Sequence, residues 1–213
     1  GNFYDYCLKQ LSLNIIGLMC LPPTDSNPEK YLDCGASVLK GEPENFFHKI
    51  NLSEFINNFK VKIIENNKAV PLDELSLPGW ETIFKNFTPV MKFLGKGPAI
   101  NLYASKGCPY SFSHYCVYPL QQGKQIRQRS IKNILDEIEY WQNNHNIRMF
   151  IFRDPVFSIN KKHTIEFAKE LINRNLNIKF IIETHLRILD NDLIKVLKKA
   201  GLRAVKVGVE SFD

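Results

Sequence analysis

The second half of the chain alternates short apolar runs with longer stretches of three-to-four spacing. Ala99-Ile100-Asn101-Leu102-Tyr103-Ala104 reads as a buried strand. Ser130 is a good N-cap, and Ile131, Ile134, Leu135, Ile138 and Trp141 behind it form one apolar helix stripe. Arg148–Phe152 is a second strand. Asn160 then precedes a helix with Ile165, Ala168, Leu171 and Ile172 inward. Ile178–Ile182 is a third strand. Asp190 caps a helix that carries Leu193, Val196, Leu197 and Ala200 and stops at Gly201. Ala204–Val209 completes a fourth strand. Four strands with three intervening helices predict right-handed crossovers and a curved parallel sheet.

The first half repeats the alternation less clearly. Leu13–Met19 and Ala36–Lys40 read as strands, Glu29–Asp33 as a helical turn, and Phe46, Phe47 and Ile50 as a helix face. Val61–Glu65 and Ala69-Val70, across Asn66-Asn67-Lys68, read as a hairpin. Pro71–Trp80 reads as an extended linker anchored by Leu75, Leu77 and Trp80. The expected organisation is a small α/β domain over 1–60, a hairpin and linker over 61–98, and the sheet-forming domain over 99–213.

Composition narrows the class. The 213 residues are 44% apolar, enough for a real core. No run of about 18 apolar residues predicts a membrane span. The net charge of +6 reads as lysines scattered on solvated helix faces, so nucleic acid is not an expected partner. Five cysteines, an odd count, argue against a disulfide scaffold and for a reducing, cytoplasmic setting. Cys7, Cys20 and Cys34 have no metal-type spacing and read as structural thiols. The chain opens at Gly1 and stops at Asp213 directly after an apparent strand, which reads as a fragment.

The chemistry concentrates after the first of the four strands, in Gly107-Cys108-Pro109-Tyr110-Ser111-Phe112-Ser113-His114-Tyr115-Cys116. Two thiols on a loop at the C-terminal end of a strand lie where α/β folds bind ligands. The other strands end at Asp154, Glu183 and Glu210, in phase with that loop. A barrel would bring these residues to one mouth.

Cys-Pro-Tyr-Ser-x-Ser-x-Tyr-Cys-x-Tyr-Pro resembles the cluster loop of radical S-adenosylmethionine (radical SAM) enzymes, in the subgroup with a cobalamin-binding domain. Phe152-Arg153-Asp154-Pro155-Val156-Phe157 and Val207-Gly208-Val209-Glu210-Ser211 resemble phrases of the same family's second and fourth strands. The turn Gly41-Glu42-Pro43-Glu44 resembles the end of its cobalamin domain, although no Asp-x-His-x-x-Gly motif is present. The resemblance implies a partial (β/α) barrel preceded by the remnant of a Rossmann-like cobalamin-type domain. It implies a [4Fe–4S] cluster held by three cysteines, S-adenosylmethionine on the open iron, and cobalamin only in an intact protein. It also implies a small-molecule substrate and a reductant of the flavodoxin or ferredoxin type. Cys108 and Cys116 match the first and third cluster ligands. Tyr115 matches the aromatic residue against adenine, Asp154 the second-strand contact near methionine, and Glu183 and Glu210 ribose or substrate contacts.

The middle ligand position falls on Phe112, and a phenyl ring does not ligate iron. His114 is a loop histidine able in principle to replace a thiolate, but an ordinary neutral histidine is the preferred reading. Three functions stay open at this level. One is a cobalamin-type radical SAM enzyme performing radical methyl transfer or related chemistry, inactive if Phe112 abolishes the cluster. The second is an RNA methylthiotransferase-like relative, suggested by Gly123, Arg127, Arg129 and Ser130. The third is a degenerate, non-catalytic barrel piece.

Overall fold

The computed structural model describes residues 18–19, 27–33, 37–48, 50–57, 62–65, 69–82, 84, 98–110, 116 and 118–209. They belong to two compact units. One comprises Gly1–Leu75 with Gly107–Ile126, and the other Ser76–Lys106 with Arg127–Asp213.

In the first unit, β1 (Leu18–Met19), β2 (Ser37–Lys40) and β3 (Ile63–Glu65) form a three-stranded sheet, with β2 central. Val38 and Leu39 of β2 are fully buried. Both pairings are parallel, and Val38 stands opposite Ile63. This corrects the expected hairpin. The apolar pair Ile63-Ile64 extends the first sheet, and Ala69-Val70 lies outside any strand. The Val70 N–H donates instead to the Asn45 side chain at 3.0 Å. Helices α1 (Glu29–Leu32), α2 (Pro43–Phe47), α3 (Leu52–Asn57) and α4 (Tyr118–Gln122) are short. Pro43 opens α2 where a missing N–H costs nothing. Phe46 meets Phe47 and Phe55 edge-on, with centroids 5.1 and 5.3 Å apart.

Among the described residues, the second unit carries the larger core. Strands β4 (Ala99–Leu102), β7 (Met149–Phe152), β8 (Lys179–Glu183) and β9 (Leu202–Lys206) form an all-parallel sheet in that order. Helices α5 (Ile131–His145), α6 (Lys161–Asn173) and α7 (Asn191–Ala200) are the three crossovers. Their caps are those read from sequence. Ser130, Asn160 and Asp190 each accept an N–H three residues on. Gly201 closes α7 at φ +115°, where a Cβ would lie 2.3 Å from the Ile178 carbonyl oxygen.

All five stripe residues of α5 are buried. Phe152, Phe157, Phe167 and Phe180 make a ring cluster with centroids 4.7–5.9 Å apart. Burying each ring contributes about 1.5–3 kcal/mol. On α6 the deepest side chains are Thr164, Phe167, Ala168 and Leu171, while Ile165 and Ile172 are only partly buried. Trp80 packs against this core, while Leu77 is exposed. β9 starts and ends earlier than expected. The Gly201 turn returns the chain to the sheet at once, and a register shift opposite Phe180/Ile181 takes up the extra residue. Val209 is exposed, outside the strand.

A further antiparallel ribbon was not predicted. β5 (Ser105–Lys106) pairs with β6 (Arg127–Gln128). The cysteine loop thus leaves the second unit at β5 and re-enters it at β6.

Candidate functional site

The C-terminal edge of the parallel sheet is stitched strand to strand. The Arg153 N–H donates to the Leu102 carbonyl at 2.8 Å, and Thr184 N–H to Lys206 at 3.0 Å. The Phe157 N–H reaches back to the Glu183 carbonyl at 2.9 Å. These bonds hold the ends of β4, β7, β8 and β9 level, where ligands bind in such sheets.

Two of the strand-end residues have different settings. Glu183 is about one-third exposed and pairs with Arg153 at 3.3 Å. That pair presents both signs of charge at the open edge of the sheet. Asp154 has no exposed surface. Its carboxylate accepts the Ala104 N–H at 3.0 Å, the Ser105 N–H, and the Ser105 hydroxyl at 2.7 Å. Burial pushes this carboxyl up to about 6, against the lowering effect of those donors. The sequence placed Asp154 at an open mouth; the structure turns it onto the chain's own backbone. Ser158 and Thr184 share a buried hydroxyl contact of 2.5 Å.

Sequence reading missed Arg129 and Glu137 as a buried pair, 2.5 Å apart. Arg129 also donates to the Tyr103 carbonyl at 3.0 Å and to the Asn133 side chain at 2.5 Å. The signal was available: Glu137 sits beside Ile134 and Ile138 on the buried face of α5, and a carboxylate there calls for a partner.

The cysteine loop belongs to the first unit. Gly107 enters it at φ +90°, and a Cβ there would lie 2.0 Å from the Gln125 carbonyl oxygen. The Gly107 N–H donates to the Gln122 side chain at 3.1 Å, and the Cys108 N–H to the Gly123 carbonyl at 3.1 Å. The end of α4 is therefore tied to the start of the loop, while Cys116 lies just before α4. Cys108 is buried and Cys116 half-buried, both as free thiols. Burial pushes the Cys108 thiol up. The Tyr110 N–H opposes this, and a charge on the neighbouring Cys116 adds to it.

Tyr115, Phe112, His114 and Glu210 lie outside the described residues. Among the described residues, no group of three or more His, Cys, Asp or Glu side chains gathers as a metal site. The loop's donor set is Cys108 and Cys116, with phenylalanine at the middle position, so it does not fit a three-thiolate cluster as it stands. Among the described residues, no helix is long and apolar enough to cross a membrane.

The family model of the radical SAM superfamily matches residues 102–213. An uncharacterized methyltransferase of Pyrococcus horikoshii is 25% identical over 95% of this chain and 47% of its own length. An anaerobic magnesium-protoporphyrin IX monomethyl ester cyclase of Cereibacter sphaeroides is 34% identical over 63% of this chain and 22% of its own. The chain thus spans about half the length of the first relative and about a fifth of the second. Among solved structures, the radical SAM methyltransferase TsrM of Kitasatospora setae, with cobalamin and a [4Fe–4S] cluster bound, matches in fold. The TM-score is 0.51 at 21% identity, over 58% of this chain and 24% of that one.

Proposed function

Because the chain belongs to the radical SAM superfamily, we propose that it is part of a cobalamin-type radical SAM protein related to methyltransferases. The superfamily implies a [4Fe–4S] cluster and S-adenosylmethionine. The reaction in view is radical methyl transfer, or related chemistry, on a small molecule, with an external flavodoxin- or ferredoxin-type reductant. What carries this reading is the cysteine loop. It leaves from the strand-end ribbon and returns to it, within the stretch matched by the family model.

In such enzymes the cofactors supply the electron transfer and bond cleavage, and the protein binds, orients and shields. Cys108 and Cys116 are the thiolates this loop offers. Tyr115 and Glu210 keep their proposed cofactor contacts by motif alone. The Arg153–Glu183 pair offers a cation and an anion for a polar ligand at the sheet edge. Phe112 leaves the loop one thiolate short, so the natural chain is expected to hold iron poorly and turn over little.

The test is consumption of S-adenosylmethionine by the anaerobically reconstituted, chemically reduced Phe112→Cys variant. Consumption above that of the unsubstituted chain supports the reading. No consumption by a variant loaded with iron and sulfide overturns it.

A further inference from the structure

We propose that Asp154 is a positioning residue for the strand end at which the cysteine loop begins, fixing the chain at Ala104–Ser105. The inference rests on the reading above only for what the loop carries. The Asp154 carboxylate is wholly buried, and both of its oxygens are engaged by the Ala104 N–H at 3.0 Å, the Ser105 N–H and the Ser105 hydroxyl at 2.7 Å. Packing alone does not need a charge here, because a buried carboxylate is costly unless its hydrogen bonds are satisfied. A carboxylate that accepts several donors fixes their geometry more tightly than a neutral acceptor does.

The same short stretch is gripped from its other side. The Ala104 carbonyl accepts the Arg129 N–H at 2.9 Å, and Ser105 and Lys106 pair with Gln128 and Arg127. Cys108 follows two residues after Lys106, past a glycine whose backbone excludes any side chain. The nearby charges have their own contacts. Arg153 pairs with Glu183, Arg129 with Glu137, and the Lys106 ammonium lies 5.2 Å from the Tyr103 ring centre. All the hydrogen-bond partners named for Asp154 are neutral, so hydrogen bonds rather than an ion pair hold this turn.

The experiment is an amide NMR titration of the full chain, without iron, through the mildly acidic range. Its outcome is therefore independent of cluster assembly. The Ala104 and Ser105 amides are expected to lie downfield and to shift with one midpoint near 6. The Gly107 and Cys108 amides are expected to follow the same midpoint. Asp154→Asn is expected to abolish the transition at all four positions while the β7 and β8 amides stay in place. Ser105→Ala removes one donor to the carboxylate and is expected to raise the midpoint; it decides the matter if Asp154→Asn does not fold. Static Ala104 and Ser105 amides would overturn the proposal. So would Gly107 and Cys108 amides that ignore the transition, or an unchanged midpoint in Ser105→Ala.

Discussion

The Arg129 guanidinium lies 2.5 Å from the Glu137 carboxylate, with the two side chains 11% and 3% exposed. Arg129 is the residue after β6, and Glu137 is in the second turn of α5, so the pair fastens the end of β6 to α5 within the second unit. Removing one partner of such a pair leaves an unmatched buried charge and costs about 3–5 kcal/mol. Glu137→Ala is accordingly expected to lower the urea midpoint strongly. The double variant Arg129→Leu/Glu137→Leu is expected to recover much of the loss. A Glu137→Ala midpoint equal to that of the unsubstituted chain would show that the pair is not buried in solution.

Asp154 sets a pH dependence of stability. Its folded-state value near 6 lies above the ordinary 3.8, so the folded chain binds this proton more tightly than the unfolded chain does. The contribution is fully present below the ordinary value and is lost as the pH rises through 6. A displacement of this size corresponds to up to about 3 kcal/mol. The stability of the unsubstituted chain, measured relative to Asp154→Asn, is expected to rise as the pH falls from neutral. Urea unfolding of both chains at several pH values checks this, and a difference independent of pH would contradict it.

Gly107 and Gly123 both have positive φ, +90° and +76°, but only Gly107 meets backbone where a Cβ would stand. Gly123→Ala is expected to cost about 1 kcal/mol of backbone strain. Gly107→Ala is expected to displace the loop itself. Mass-spectrometric labelling of Cys108 under native conditions separates the two, with fast modification in Gly107→Ala and slow modification in Gly123→Ala. Equal, slow labelling in both would argue against the close approach of Gly107 to Gln125.

What was legible in the sequence was what periodicity and local chemistry determine. The stripe from Ile131 to Trp141, the caps Ser130, Asn160 and Asp190, and the stop at Gly201 each act within a few residues, and each stands where the pattern placed it. Long-range pairing was legible where strands alternate with helices, as in the four-stranded parallel sheet, and not elsewhere. Ile63-Ile64 offers the same apolar surface to a hairpin partner as to β2, and nothing nearby chooses between them. Ser105–Lys106 and Arg127–Gln128 are too short and polar to announce a ribbon. In the site, the motif phrases marked Cys108, Cys116 and Asp154, and the strand end marked Glu183. Neither could tell that Asp154 faces inward while Glu183 stays half open, because that depends on which backbone donors β4 presents at the end of β7.

Cluster binding by the cysteine loop turns on position 112. Its most direct test is the iron and sulfide bound per chain after anaerobic reconstitution of the unsubstituted protein, Phe112→Cys, and Phe112→Cys/Cys108→Ser. The prediction is low loading for the first, a clear rise with broad visible absorption for the second, and loss of that gain in the third. Equal iron and sulfide in all three chains would contradict the assignment of this loop as a cluster site.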